Sequence, residues 1–314
     1  MRKTRLGSQG PEIAAIGYGS WEAGGGLWGE VPDDRTIAAI RASADAGSDW
    51  VDSAEIYGRG RSEELVGQAL PGRDDVMVFT KVAPRGPGSG FRPNEVKAAA
   101  RASLRRLGRD VIELYQLHWP DDSVPIEETW GAMAELVDDG LVRWIGVSNF
   151  DRDLIERCES VRHVDSLQPH FSMLHREGRD ELFPFCAANG TGIICYGPLA
   201  YGLLTGVIDE ETEFADDDWR GKPGGGYYDE FFAPEPFERN LAIVRSLKPI
   251  AERLGIELSQ LALAWVFHQE GVTGAIAGSR SEKHVRENVR AGDVELSADD
   301  LDEVDEVLGS DGRD

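Results

Sequence analysis

Short apolar runs alternate along the chain with longer stretches in which apolar residues recur every three or four positions. The runs Val76 to Thr80, Ile112 to Leu117 and Trp144 to Val147 have the length and residue types of buried strands. Shorter examples are Ala15 to Tyr18, Trp50-Val51, Ser166 to Gln168, Ile193 to Tyr196 and Gly274 to Ala277. Between them, Ile37, Ile40 and Ala44 fall on one helical face, as do Val96, Ala100, Leu104 and Leu107, and likewise Leu258, Leu261, Ala262 and Trp265. Asp151, directly before Arg152-Asp153-Leu154, has the chemistry of a helix N-cap.

Eight strands, each followed by a helix, imply parallel pairing through right-handed crossovers. No shift in composition divides the chain, so the pattern predicts one α/β domain over residues 1–314. Its expected architecture is a closed (β/α)8, or TIM, barrel, with an open doubly wound sheet as the alternative. Two segments stand outside the alternation. Residues 1–13 read as a small β-hairpin closing one end of the barrel. Thr205 to Pro236, after the seventh barrel strand, reads as a long loop rich in Gly and Asp that includes Gly224-Gly225-Gly226-Tyr227-Tyr228. Loops of that length commonly serve as lids.

Of the 314 residues 41% are hydrophobic, enough for a sizeable core. No stretch approaches the roughly 18 consecutive apolar residues of a membrane span, so no membrane contact is expected. The basic start Met1-Arg2-Lys3 runs into Gly7-Ser8-Gln9-Gly10-Pro11, which reads as a turn and not as a secretory signal. Cys158, Cys186 and Cys195 lack metal-ligand spacing and point to reduced thiols in a cytoplasmic setting. A net charge of −24 argues against a nucleic-acid partner, which would need clustered cations. Acidic pairs such as Asp33-Asp34, Asp121-Asp122, Asp138-Asp139 and Asp299-Asp300 fit two readings. One is a solvated surface with acidic helix N-termini. The other is adaptation to high salt, where screening suppresses self-repulsion. Oligomeric state is not legible.

The polar residues that matter are marked by position. Asp52 follows Trp50-Val51, Lys81 closes the Val76 run, and His118 closes the Ile112 run. Ser148 and Asn149 follow Val147, and Gln168, Tyr196 and Gly278-Ser279-Arg280 complete the set. Each sits at the C-terminal end of a predicted strand, and in a barrel those ends converge on the face that carries active sites. His118 has no His neighbour at ligand spacing, so no metal site is expected. No Gly-x-Gly-x-x-Gly follows a strand near the start, which counts against a Rossmann dehydrogenase.

Several longer matches are specific. They are Val51-Asp52-Ser53-Ala54-Glu55-Ile56-Tyr57-Gly58, Thr80-Lys81, Leu117-His118-Trp119-Pro120, Gly146-Val147-Ser148-Asn149-Phe150 and Gln168-Pro169. Tyr196-Gly197-Pro198-Leu199, Gly202-Leu203-Leu204-Thr205-Gly206, Ala277-Gly278-Ser279-Arg280 and Glu287-Asn288 follow in order. In these the chain resembles the aldo-keto reductase superfamily over nearly its whole length, and the long loop and Gly278-Ser279-Arg280 resemble its bacterial branch, close to the potassium-channel beta subunits.

That resemblance implies reversible hydride transfer between NADPH (NADP+), with NADH possible, and a small aldehyde or ketone. It implies a catalytic tetrad of Asp52, Tyr57, Lys81 and His118. A phenol has an ordinary pKa near 10, and a neighbouring Lys81 is expected to draw that of Tyr57 down. Asp52 would hold Lys81 by a charge-assisted hydrogen bond, and His118 would donate to the substrate oxygen or assist proton transfer to Tyr57. By the same resemblance, Gly19, Ser20 and Trp21 border the cofactor, Ser148, Asn149 and Gln168 bind its carboxamide, and Tyr196 stacks on its ring. Pro198, Leu199, Gly202, Leu204 and Gly206 would approach the pyrophosphate. Gly278, Ser279, Arg280, His284, Glu287 and Asn288 would surround the adenosine. Trp21 and Trp119 are the expected walls of the substrate pocket. One departure stands out: many members carry a Lys at the position of Gly278 and a basic residue at that of His284, which leaves Arg280 as the main phosphate ligand. The alternative function is a nicotinamide-binding regulatory or partner-binding protein with vestigial reductase activity.

Overall fold

A computed structural model describes residues 1–25, 32–86, 89–216, 218–224 and 226–309. Two short strands, β1 (Lys3–Arg5) and β2 (Glu12–Ala14), form the antiparallel N-terminal hairpin. Eight parallel strands follow: β3 (Ile16–Gly19), β4 (Trp50–Asp52), β5 (Met77–Val82), β6 (Ile112–Leu117), β7 (Val142–Ser148), β8 (Ser166–Gln168), β9 (Gly192–Cys195) and β10 (Val272–Ala277). Each pairs with the next, and β10 returns to β3 in the register Ala275↔Ile16 and Ala277↔Tyr18, closing the expected (β/α)8 barrel.

The surrounding helices are α1 (Asp33–Asp45), α2 (Arg61–Ala69), α3 (Pro93–Leu107), α4 (Ile126–Asp138), α5 (Arg152–Glu159) and α6 (Leu182–Asn189). After β9 come α7 (Asp229–Phe232), α8 (Pro234–Leu254) and α9 (Leu258–Phe267), and after β10 come α10 (Glu282–Arg290) and α11 (Ala298–Gly309). The Asp151 carboxylate accepts from the Leu154 amide at 2.9 Å and caps α5 as its sequence suggested. Among the described residues, no helix is long and apolar enough to cross a membrane.

The period-two geometry of the strands explains where the site lies. In β5, Val78 and Val82 pack outward among the helices, and the Thr80 hydroxyl donates to Glu63 of α2. Phe79 points into the barrel, so Lys81, two residues on, points the same way. Trp50, Phe79, Leu114, Ile194 and Ile276 fill the lumen, and Leu6, Ile13 and Ala14 of the hairpin region seal it from below. Gly17 makes room for that layer, because a Cβ there would lie 2.3 Å from the Trp50 indole. One step up the same inward faces come Asp52, Lys81 and Gln116, all buried. An apolar plug thus supports a polar layer.

Two boundaries differ from the pattern. Val76 lies in a turn, its amide donating to the Arg73 carbonyl, and β5 runs from Met77 on to Val82. The long segment after β9 is compact, not structureless: it holds short 3-10 turns at Ala200–Thr205 and Trp219–Gly221, then α7. Helix α8 begins before Pro236, because Pro234 and Pro236 sit in its first turn, where no intrahelical donor is needed. Gly225 of the expected glycine cluster lies outside the described residues.

Candidate active site

A cavity of about 1010 Å³ opens over the C-terminal ends of the barrel strands. Asp52 lines its floor, with Lys81 sealed beneath and fully buried. The Lys81 ammonium donates to Asp52 Oδ1 and, at 2.9 Å, to the Ser53 carbonyl. The other Asp52 oxygen accepts from Gln168 Nε2 at 2.8 Å and from Gln116 Nε2 at 3.4 Å. Burial draws the Lys81 pKa down, and Asp52 opposes this by favouring the charged form. Such a buried pair depends on both partners, because removing one strands the other charge.

Tyr57 reaches this floor from the loop after β4, through a turn in which its amide donates to the Ala54 carbonyl at 3.1 Å. The Lys81 ammonium lies 5.4 Å from the centre of the phenol ring, and the His118 ring stands edge-on to it at 5.6 Å. The expected lowering of the Tyr57 pKa is not what this arrangement gives. Burial, then the nearby Asp52 carboxylate and Tyr228, hold the phenol well above its usual range. Tyr57 is therefore a neutral, protonated donor. Burial and the Lys81 charge hold His118 well below the ordinary histidine range, so it too is neutral. Its buried Nδ1 has no hydrogen-bond partner among the described residues.

Beside this cluster, β7 and β8 supply a polar edge. Ser148 Oγ donates to the Gln168 carbonyl at 2.8 Å, and Asn149 Nδ2 donates to the His118 carbonyl and to Ser148 Oγ, each at 3.1 Å. The Tyr196 hydroxyl donates to Asn149 Oδ1 at 2.9 Å, so its ring is fixed to the same edge. Behind it the His170 ring lies nearly parallel, 15° tilted at 5.1 Å, with burial pushing its pKa down to about 2. Tyr227 bridges the two, its hydroxyl 3.2 Å from the Tyr196 hydroxyl and 3.0 Å from His170 Nδ1.

The segment after β9 roofs the cavity with aromatic rings. Tyr228 stacks on Trp21 at 6.1 Å and meets Trp219 at 4.4 Å and Tyr201 at 4.8 Å. Trp119 packs against His118 at 4.4 Å. Trp21, Ile56, Tyr57, His118, Trp119, Tyr227 and Tyr228 all line the cavity, and none of these side chains is charged. The opposite end carries Arg220, Arg280, Lys283 and His284, with Glu22, Glu257 and Glu287 among them. Arg220 is held by Asp218 at 2.6 Å and donates to the Tyr201 carbonyl at 3.0 Å.

The structure brings Gly19, Ser20, Trp21, Ser148, Asn149, Gln168, Tyr196, Pro198, Leu199 and Gly202 to this cavity. The second group placed there is Gly278, Ser279, Arg280, His284, Glu287 and Asn288. Leu204 and Gly206 are exceptions. Leu204 is wholly buried in the core, and Gly206 ends a 3-10 turn against the side chains of Lys248 and Leu258, so neither lines the cavity. Gly278 has a steric reason for being glycine: a Cβ there would lie 2.3 Å from the Gly19 carbonyl oxygen.

Gln116, His170, Tyr201, Trp219, Tyr227, Tyr228 and Glu22 were not singled out by sequence. Gln116 precedes His118 by two on the same inward face, a period-two signal that could have found it. A dinucleotide fits this arrangement. The planar Tyr196 beside amide and hydroxyl groups suits a nicotinamide, and the cationic end suits phosphates. His170, His175 and Glu230 have the composition of a metal site, with ligand atoms within 4.8 Å of one another. The two imidazoles, however, are stacked at 4.2 Å and 25°, so their in-plane lone pairs run side by side and do not converge on one ion.

The family model "Aldo/keto reductase family" matches residues 15–309. The aldo-keto reductase YhdN of Bacillus subtilis is 35% identical, over 98% of this chain and 94% of its own. An NADH-specific methylglyoxal reductase of Escherichia coli is 32% identical, over 95% of each. A probable voltage-gated potassium channel subunit beta of Arabidopsis thaliana is 30% identical, over 99% of this chain and 97% of its own. Among solved structures, the glycerol dehydrogenase of Gluconobacter oxydans superposes with a TM-score of 0.88 at 30% identity, covering 99% of this chain and 96% of that one.

Proposed function

This chain belongs to the aldo/keto reductase family and is an NAD(P)H-dependent oxidoreductase, and on that footing we propose that it prefers NADPH and reduces neutral aldehydes or ketones with Tyr57 as the acid. The observation that carries the reading is the convergence of Asp52, Lys81, Tyr57 and His118 at the floor of one cavity, beneath its aromatic collar.

When bound, the reduced nicotinamide would supply a hydride for the carbonyl carbon. The remaining demand is a proton for the carbonyl oxygen, and Tyr57, held protonated by burial, delivers it from its hydroxyl. The Lys81 ammonium lies near enough to stabilise the phenolate as it forms, and Asp52 keeps that ammonium in place. His118, neutral, orients the oxygen as a hydrogen-bond donor and does not shuttle a proton. Ser148, Asn149 and Gln168 would hold the carboxamide of the nicotinamide, and Tyr196, fixed to the same edge by its hydrogen bond to Asn149, would pack on the ring. Arg280 would hold the adenosine 2′-phosphate, and Ser279 and Asn288 line the same end of the cavity.

The uncharged aromatic collar and the net charge of −24 both favour a neutral carbonyl flanked by an apolar or aromatic group over an anionic one. The test is NADPH oxidation followed with 4-nitrobenzaldehyde and 4-carboxybenzaldehyde, after nicotinamide fluorescence has established binding. Turnover of the first, with kcat/KM at least about tenfold above the second, is expected. Tight NADPH binding with no turnover of any carbonyl would instead favour a partner-binding role.

A further inference from the structure

We propose that Glu22 tempers the selectivity for the 2′-phosphorylated cofactor by competing with that phosphate for Arg280. The inference rests on the reading of Arg280 given above. Glu22 lies in the short 3-10 turn Trp21–Gly24 that follows β3, and Arg280 lies just after β10, the neighbouring strand. Their side chains meet with Glu22 Oε2 3.5 Å from Arg280 Nε. Both line the cavity and both are half-buried, with side chains 26% and 22% exposed, so the pair sits within the ligand's space and not on the outer surface.

The groups around Glu22 explain why this position is sensitive. Burial raises the Glu22 pKa above the usual carboxylate range, Arg280, Arg220 and His284 oppose this by favouring the charged form, and Asp218 adds to the rise. A phosphate dianion arriving at Arg280 meets a guanidinium that already has the Glu22 carboxyl group beside it. It must draw Arg280 away and leave Glu22 beside a new negative charge. A cofactor without the 2′-phosphate makes no such demand. The structure thus contains an attractive and a repulsive element for the same phosphate, and selectivity is set by their difference. No residue type at this position marks the effect in the sequence: Glu22 reads there as one more acid in an acidic chain.

Glu22→Gln keeps the size and a hydrogen-bonding amide but removes the charge. The measurement is calorimetric binding of ADP-ribose and of 2′-phospho-ADP-ribose, which carry no nicotinamide and so report affinity apart from catalysis. Wild type, Glu22→Gln, Arg280→Ala and the double variant are compared, with thermal melting confirming that each is folded. Glu22→Gln is expected to tighten 2′-phospho-ADP-ribose about tenfold and to leave ADP-ribose within about twofold, and the gain should vanish in the Arg280→Ala background. Equal tightening of both ligands places Glu22 against the shared diphosphate and overturns the proposal, as does no change in either. If Arg280→Ala leaves the ratio of the two affinities unaltered, the Arg280 reading itself is wrong. If that variant abolishes discrimination while Glu22→Gln is inert, the Arg280 reading stands and the Glu22 proposal falls.

Discussion

The floor and the roof of the cavity are built by different means. The floor is carried on strand ends: Asp52, Lys81, Gln116 and Gln168 are buried, joined by hydrogen bonds, and supported by the apolar plug of Trp50, Phe79, Leu114, Ile194 and Ile276. The roof is carried on the segment after β9, where Tyr227 is 55% exposed and Tyr201 holds a left-handed backbone at φ 56°. Placement by a barrel gives precision, because each inward side chain is fixed by strand register. Placement by a loop gives room to change, because no strand register fixes where each side chain points. Bond-making chemistry is centred on the first, which Tyr57 joins from the loop after β4, and selection and enclosure of substrate on the second.

Tyr57→Phe tests the floor and carries the largest expected effect. It removes one hydroxyl and leaves the ring packing, so kcat/KM for carbonyl reduction should fall by about 10²–10⁴-fold. Cofactor affinity should stay within about threefold, since Tyr57 faces the substrate end of the cavity. Near wild-type reduction by this variant would remove the proton donor from the scheme and with it the division of labour.

Tyr227→Phe is the corresponding change in the roof. It deletes the hydroxyl that bridges Tyr196 and His170 but keeps the ring. A loss of about three- to tenfold in cofactor affinity, with kcat altered less than KM, is expected from two lost hydrogen bonds in a half-exposed setting. A loss in kcat as deep as that of Tyr57→Phe would show that the roof takes part in the chemistry and that the contrast is drawn in the wrong place.

The same contrast explains what could be read from the chain. Strand ends are legible because apolar runs are legible: Asp52, Lys81, His118, Ser148 and Gln168 each follow such a run and converge once the barrel closes. Tyr57, on a loop, was found only through the resemblance. The roof residues Tyr201, Trp219 and Tyr228 escaped because their partners come from distant parts of the chain. Trp21 meets Tyr228 across some 200 residues, and no local period encodes that contact. An aromatic pair, Tyr227-Tyr228, inside a Gly-rich and Asp-rich stretch was the available signal. The sequence also points to the opposite direction for the Tyr57 pKa, because it names the nearby lysine but gives no measure of burial.

A pH profile sharpens the picture of the floor with a smaller effect. Above its depressed pKa His118 is neutral, so it carries no charge down to and below the ordinary histidine range. Below its raised pKa Tyr57 is protonated, so the donor persists above the ordinary phenol range. Carbonyl reduction at saturating cofactor should therefore vary less than about threefold between about pH 6 and about pH 9. An acid limb near the ordinary histidine pKa would mean that His118 titrates, that it is less dehydrated than its place in the floor implies, and that it does pass protons.

The smallest effect separates the floor from everything outside it. The net charge of −24 means that even with every lysine and arginine paired one to one, as in Arg157–Glu127 at 2.8 Å or Arg253–Asp300 at 2.8 Å, carboxylates remain in excess. Their repulsion acts through solvent, where the Debye length falls from about 10 Å at 0.1 M salt to about 3 Å at 1 M. If the acidity is an adaptation to high salt, as we propose, molar KCl relieves that repulsion and raises Tm by several degrees. The Asp52–Lys81 pair is sealed from ions, its side chains 4% and 0% exposed, so the same salt should leave kcat within about twofold. Phosphate-bearing ligands, bound at the half-exposed cationic end, should bind more weakly as salt rises. Melting curves, kcat and cofactor KM measured over one KCl series give all three slopes together. A Tm that stays flat or falls leaves the acidity without a role in salt tolerance. A kcat that tracks salt as closely as KM does would show that the floor is open to solvent ions and that the buried layer is not the insulated platform its geometry describes.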